Sequence, residues 1–162
     1  MTASARRGYV RRVYSDRAFQ VCELFGAARR AGVPLAPGAR VASLGGGPGW
    51  APCAAAVGDV VGESVRFMPC DLARPLDAPE NADVRQLAGT LDVVLVSRTL
   101  SEVPESGWAP FVDSLWAALP PSALLFVKDT DDVEAEVVRR LDSADAFRVL
   151  GVRGAFLYRD AG

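Results

Sequence analysis

The chain contains no histidine among its 162 residues. That excludes Ser–His and Cys–His nucleophilic pairs, imidazole general bases and histidine metal sites. Cysteine is scarce too. Cys22, Cys53 and Cys70 are an odd number at wide spacing. They form no zinc signature and no disulfide framework, which points to a reducing compartment. No run of 18 uncharged apolar residues occurs, so no membrane span is expected. No secretory h-region stands at the N-terminus, and no internal repeat is visible. The expected location is the cytoplasm. The Arg content before Asp16, with no acid there, leaves an organellar transit peptide as the alternative.

Charge is unevenly spread along the chain, with few acids in its first 30 residues. The net charge is −2, yet residues 1–30 hold seven Arg against Asp16 and Glu23. That segment carries +5 and the remainder −7. A basic arm at 1–14 on an acidic body at 15–162 is suited to RNA or an acidic partner, and equally to a solvated helix face. Oligomeric state is not encoded in any feature of the chain. Length and composition fit one globular domain with a real core.

What is present is concentrated at residues 41–50, VASLGGGPGW. The apolar run Val41–Leu44 ends abruptly in Gly45-Gly46-Gly47-Pro48-Gly49. A buried strand running into a glycine-lined turn reads this way. Glycine is needed where φ is positive or where a ligand approaches the backbone with no Cβ in the way. The small residues 51–57 suit a helix whose first N–H groups face the turn. Strand, glycine turn and helix open a nucleotide-binding α/β domain.

The glycine spacing discriminates between cofactors. A dinucleotide fingerprint needs G-x-G-x-x-G, and its third glycine would fall on Trp50. A nicotinamide oxidoreductase is disfavoured on that ground. The spacing present is G-x-G-x-G, at Gly45, Gly47 and Gly49. With Pro48 and the preceding V-A-S-L it closely resembles the first motif of class I S-adenosylmethionine-dependent methyltransferases. Ser43 departs from that pattern, because many members carry Asp or Glu two residues before the first glycine. The resemblance implies S-adenosyl-L-methionine as cofactor and no metal. It implies cofactor contacts from Ser43, Gly45, Gly46, Gly47, Gly49, Asp71 and Ser97. Methyl transfer tolerates the lack of histidine. The sulfonium is already a good leaving system, so the protein mainly aligns donor and acceptor.

The remaining segments follow in order. Residues 15–31 read as a helix capped by Ser15 and stopped by Gly32 and Pro34. Residues 65–71, VRFMPCD, read as a strand ending in Asp71. That acid lies 22 residues after Gly49, close to the spacing of an acid that binds ribose hydroxyls at the end of strand two. The same string resembles the family's third strand, whose terminal acid sits near adenine. Either way one β-α unit is shortened or absent. The Pro-, Ala- and Asp-rich stretch up to Asp92 suits a loop with at most one short helix near 81–88.

Residues 91–97, LDVVLVS, fit a central parallel strand covered on both faces. The following SRTLSEVPE resembles the family's loop after strand four, where substrate and donor methyl meet. Ser97, Arg98, Ser101 and Glu102 are its polar candidates, with Glu102 as the catalytic one, to accept a proton or orient a nucleophile. The triplet Leu100-Ser101-Glu102 resembles the mitoribosomal small-subunit methyltransferase-like proteins, without their cysteine cluster. No Asp/Asn-Pro-Pro-aromatic motif occurs, which disfavours amino methylation of the N6-adenine type.

A helix at 107–119 carries Trp108, Phe111, Val112, Leu115 and Trp116 on one side, as core rather than as a base-stacking platform. Residues 123–128 read as a strand and 131–141 as a helix with acids in its first turn, which suits the helix dipole. Residues 147–152 and 155–159 read as a closing β-hairpin. The expectation is a three-layer, Rossmann-like α/β sheet of about six strands, mostly parallel with a C-terminal antiparallel hairpin. The expected activity is methyl transfer to an acceptor that is RNA, protein or a small molecule. The alternative is a degenerate, non-catalytic binding or scaffold subunit.

Overall fold

Apolar strands alternate with helices that each carry one apolar stripe, and the chain layers accordingly. The computed structural model describes residues 26, 30, 38–45, 68–142 and 155–158. Its strands are β1 (Val41–Leu44), β2 (Val93–Ser97), β3 (Leu124–Lys128) and β4 (Ala155–Tyr158). Its helices are α1 (Ala82–Ala88), α2 (Glu105–Ala118) and α3 (Asp131–Asp142). Short 3-10 turns precede α1 at Pro79–Asn81 and α2 at Leu100–Glu102. Among the described residues the sheet order is β1-β2-β3-β4.

β1, β2 and β3 run parallel, with Val41 opposite Val93 and Val93 opposite Leu124. β4 runs antiparallel to β3, with Leu125 opposite Leu157. Residues alternate between the two sheet faces. Leu44, Val94, Val96, Leu125, Val127 and Leu157 join Trp108, Phe111, Val112, Leu115 and Trp116 of α2 in one core. Val93, Leu95, Leu124 and Phe126, on the opposite face, are buried as well. Burial on both faces explains why β2 and β3 read as continuous apolar runs rather than as alternating ones. α3 adds Val133, Val137 and Leu141, one stripe at helical spacing. Its acids Asp131, Asp132 and Glu134 sit in the first turn and Arg139 and Arg140 in the last, as the helix dipole favours.

The expected α/β class with a small parallel sheet is therefore present. Gly26 and Arg30 are helical, within the helix expected at 15–31. The basic arm, most of that helix, Cys22, Cys53, the helix expected at 51–57 and the hairpin arm at 147–152 lie outside the described residues.

One expectation fails. Residues 68–71 are not a strand. Pro69 has no N–H to give a ladder, and Met68 and Cys70 instead pack against the α2-side core. The chain then turns on local hydrogen bonds. Buried Asn81 donates through Nδ2 to the carbonyls of Asp71 (3.0 Å), Arg74 (3.3 Å) and Pro75 (3.1 Å). Its Oδ1 accepts the Asp71 N–H at 2.8 Å. Ser114 Oγ of α2 accepts the Leu76 N–H at 2.7 Å, so this folded segment is pinned to α2.

Candidate functional site

In open α/β sheets ligands bind beyond the carboxyl ends of the strands, where the strand order reverses. Here β1 is the spatial neighbour of β2, although 48 residues separate Leu44 from Val93. The ends of β1, β2 and β3 place Gly45, Ser97–Thr99 and Lys128–Thr130 along one edge.

Gly45 stands directly after β1 with φ +67°. A Cβ there would lie 2.1 Å from the side chain of Thr99. Glycine is thus required twice, by the left-handed backbone and by the close approach of the loop after β2. Ser43, one residue inside β1, has its Oγ buried with no hydrogen-bond partner among the described residues. Gly46, Gly47 and Gly49 lie outside the described residues.

At the end of β2 the chain is bent sharply. Ser97 is half-buried, and Arg98 adopts φ +51°. The Arg98 N–H donates to the Lys128 carbonyl at 2.7 Å. Thr99 is buried, and its Oγ1 donates to the Ser97 carbonyl at 2.8 Å and lies 3.4 Å from the Gly45 carbonyl. Gly45, Ser97 and Thr99 are therefore brought together.

The group that holds this bend is Asp129, 1% exposed at the end of β3. One carboxylate oxygen accepts the N–H groups of Thr99 (2.8 Å) and Leu100 (2.9 Å). The other accepts the Thr130 N–H at 3.0 Å. Burial pushes the Asp129 carboxyl up, but the Ser101 hydroxyl and the N–H groups of Thr99, Thr130 and Leu100 outweigh it and hold the group below the usual carboxylate range. Lys128, also buried, places Nζ 2.6 Å from Glu134 Oε1, which also accepts the Asp129 N–H at 2.7 Å. Lys128, Asp129 and Glu134 are thus all engaged within the fold.

Glu102 ends the 3-10 turn that Asp129 supports, and it is exposed. Its N–H returns to the Thr99 carbonyl at 3.2 Å. Asp71 belongs to a different group. Its Oδ1 closes a turn on the Ala73 N–H at 2.9 Å, and its backbone is held by Asn81. It ends no strand, because residues 68–71 are not extended into one. Its neighbour Cys70 is half-buried, and burial, with a smaller push from the Asp71 carboxylate, raises its thiol to about 11. Such a thiol is no nucleophile at neutral pH.

An open cleft of about 550 Å³ borders this edge, lined by Ser101, Val103, Glu105, Trp108, Thr130 and Asp132 among others. No group of acids and cysteines among the described residues is arranged to hold a metal ion. No described helix is long and apolar enough to cross a membrane.

Sequence reasoning identified Ser97, Arg98, Ser101 and Glu102 as one loop but missed Asp129, which positions it. The signal was there: an acid directly follows the apolar run LLFVK, the same strand-end logic applied to Asp71. Asn81 gave no signal as a hub, standing only at the edge of the short helix expected near 81–88.

Comparison with family models, with curated proteins and with solved structures finds no match to this chain.

Proposed function

We propose that the chain is a compact class I methyltransferase domain that binds S-adenosyl-L-methionine beyond the ends of β1 and β2. The observation that carries this reading is the start of a G-x-G-x-G turn, in left-handed conformation, at the carboxyl end of a parallel strand that neighbours β2 in space. The fold would then be a Rossmann-like sheet of about six strands, mostly parallel and closed by a C-terminal antiparallel hairpin. The Ser43 hydroxyl, without a partner among the described residues, fits such a ligand, since a buried polar group without a bond invites one.

Gly45, Gly46, Gly47 and Gly49 would let the backbone approach the methionine end of the cofactor. Ser97 would line the same end, and Asp71 would reach ribose or adenine. The cofactor supplies an activated methyl group. The chain's own part is to align an acceptor beside the loop 97–102 and, through exposed Glu102, to take its proton. The acceptor is RNA, protein or a small molecule, and the Arg-rich arm at 1–14 would serve an RNA or acidic partner. The reducing location implied by the cysteines is the cytoplasm.

A second reading, a non-catalytic binding subunit on the same fold, is favoured by one fact. Lys128, Asp129 and Glu134 are all consumed by internal bonds, which leaves Glu102 as the exposed carboxylate of this loop.

Calorimetry with S-adenosylmethionine, S-adenosylhomocysteine and NAD tests both readings. Binding of the first two and not of NAD is expected, and Gly47→Val should abolish it in a folded protein. Binding without methyl transfer to any RNA, protein or small-molecule fraction selects the second reading. No binding, or binding of NAD alone, removes the first.

A further inference from the structure

Arg98 combines three properties that rarely coincide. Its backbone sits at φ +51°, where a residue with a Cβ is uncommon. Its side chain is exposed at the carboxyl end of the central strand. It forms no ion pair with a carboxylate among the described residues.

The strained backbone is held from both sides. The Arg98 N–H is fixed on the Lys128 carbonyl at 2.7 Å. The next two N–H groups, of Thr99 and Leu100, are fixed on buried Asp129. Strain of this kind persists only when its surroundings over-determine it, and it concentrates at ligand-binding edges. Glycine would meet the backbone requirement without strain. What arginine adds is a planar fork of donors that matches a carboxylate or phosphate in two parallel bonds. Asp129 is not its counter-ion: its oxygens accept backbone N–H groups, and no ion pair between the two forms.

We propose that Arg98 is the anion-recognition residue of this edge, taking a carboxylate or phosphate group carried by the methyl acceptor. The proposal rests on the site assigned above but not on the cofactor's identity. It narrows the acceptor to an anionic molecule, such as a nucleotide, an RNA phosphate or a carboxylic acid.

The test uses the full chain with Arg98→Gly and Arg98→Lys. Inorganic phosphate is the acceptor-group probe, and S-adenosylhomocysteine, which carries its own carboxylate, is the cofactor probe. Thermal melts at low salt should show wild type stabilised by phosphate. Arg98→Gly should keep or raise the melting temperature without ligand, because strain is relieved, and should weaken phosphate binding by roughly tenfold to a hundredfold. Arg98→Lys should fall between, losing the fork but keeping the charge. S-adenosylhomocysteine affinity should be the same in all three proteins.

A selective loss of S-adenosylhomocysteine binding in Arg98→Gly, with phosphate unaffected, assigns the guanidinium to the cofactor and overturns the proposal. Equal phosphate responses in wild type and Arg98→Gly also overturn it. An Arg98-dependent phosphate response with no S-adenosylhomocysteine binding supports Arg98 as the anion-recognition residue. It removes the methyltransferase reading and with it the identification of the anion's carrier as a methyl acceptor.

Discussion

Replacing Asp129 should unfasten the loop after β2, and the cost follows from its bonds. Its carboxylate accepts the N–H groups of Thr99, Leu100 and Thr130 and the Ser101 hydroxyl, from a position 1% exposed. A hydrogen bond to a charged group contributes about 1.5–3 kcal/mol, and a buried donor left alone costs about 1–3 kcal/mol. These terms overlap, so Asp129→Ala should cost about 3–5 kcal/mol rather than their sum. For a chain of this length that lowers the melting temperature by roughly 6–20 °C. Asp129→Asn keeps one acceptor oxygen for Thr99 and Leu100 but turns an NH2 toward the Thr130 N–H. It should cost about 1–3 kcal/mol.

The pH dependence separates charge from shape. The folded carboxyl titrates below its unfolded counterpart. Its contribution is therefore complete above the unfolded value, near pH 4, and is lost as pH falls toward and through the folded value. Urea unfolding followed by tryptophan fluorescence reads this out, since Trp108 and Trp116 are buried in α2. The gap between wild type and Asp129→Asn should be full at pH 7 and close progressively below about pH 4. A gap constant from pH 7 to pH 3, or a cost under about 1 kcal/mol for Asp129→Ala, would refute the carboxylate's role as the loop's anchor.

Two further outcomes follow from neighbouring geometry. Gly45→Ala should destabilise by about 2 kcal/mol or more, from left-handed strain and the clash with Thr99. Thr99→Gly removes Cγ2, Oγ1 and also the Cβ that would lie 2.6 Å away, so the double mutant should cost less than the sum of the two single variants, and strict additivity would show that contact to be immaterial. Asp71→Asn should keep the turn bond to Ala73, hence the melting temperature, yet weaken S-adenosylmethionine binding by about 1–3 kcal/mol. Calorimetry giving wild-type affinity would leave Asp71 as a turn residue only.

The elements that were legible in sequence are those whose signal is local. β2 and β3 are apolar, β-branched runs, and α2 and α3 show their stripes at helical spacing, with Pro120-Pro121 closing α2. The strand expected at 65–71 looked equally apolar, but Pro69 and the side-chain bonds of Asp71 and Asn81 offered the backbone an alternative to a ladder. Gly45 and Ser97 were legible because a strand end announces itself. Asp129 was not tied to their loop because its partners Thr99 and Leu100 lie 30 and 29 residues away in sequence. Only the fold brings them together, when β2 and β3 pair with Ser97 opposite Lys128.

The segment 72–90 shows what that difference means for function. Read as a polar loop, it would have to be ordered by a ligand, at roughly 1 kcal/mol or more per residue. Weak cofactor binding would follow. In the structure this cost is met by folding itself. Asn81 binds three carbonyls and one N–H, and Leu72, Leu76, Val84 and Ala88 are buried. α2 presses so close that a Cβ on Gly107 would lie 3.0 Å from Ala73 Cα. A wall built in advance favours affinity, because binding no longer includes its ordering. Asn81→Ala should reverse that. Losing the hub should cost about 2–4 kcal/mol of stability. At a temperature where the variant is still folded, affinity for S-adenosylhomocysteine should fall about tenfold or more, as the ordering cost returns to the binding step. Paired urea titration and calorimetry decide it. A destabilised variant that binds as tightly as wild type would show that 72–90 walls no ligand, and would confine the cofactor to the glycine turn and the residues that follow it.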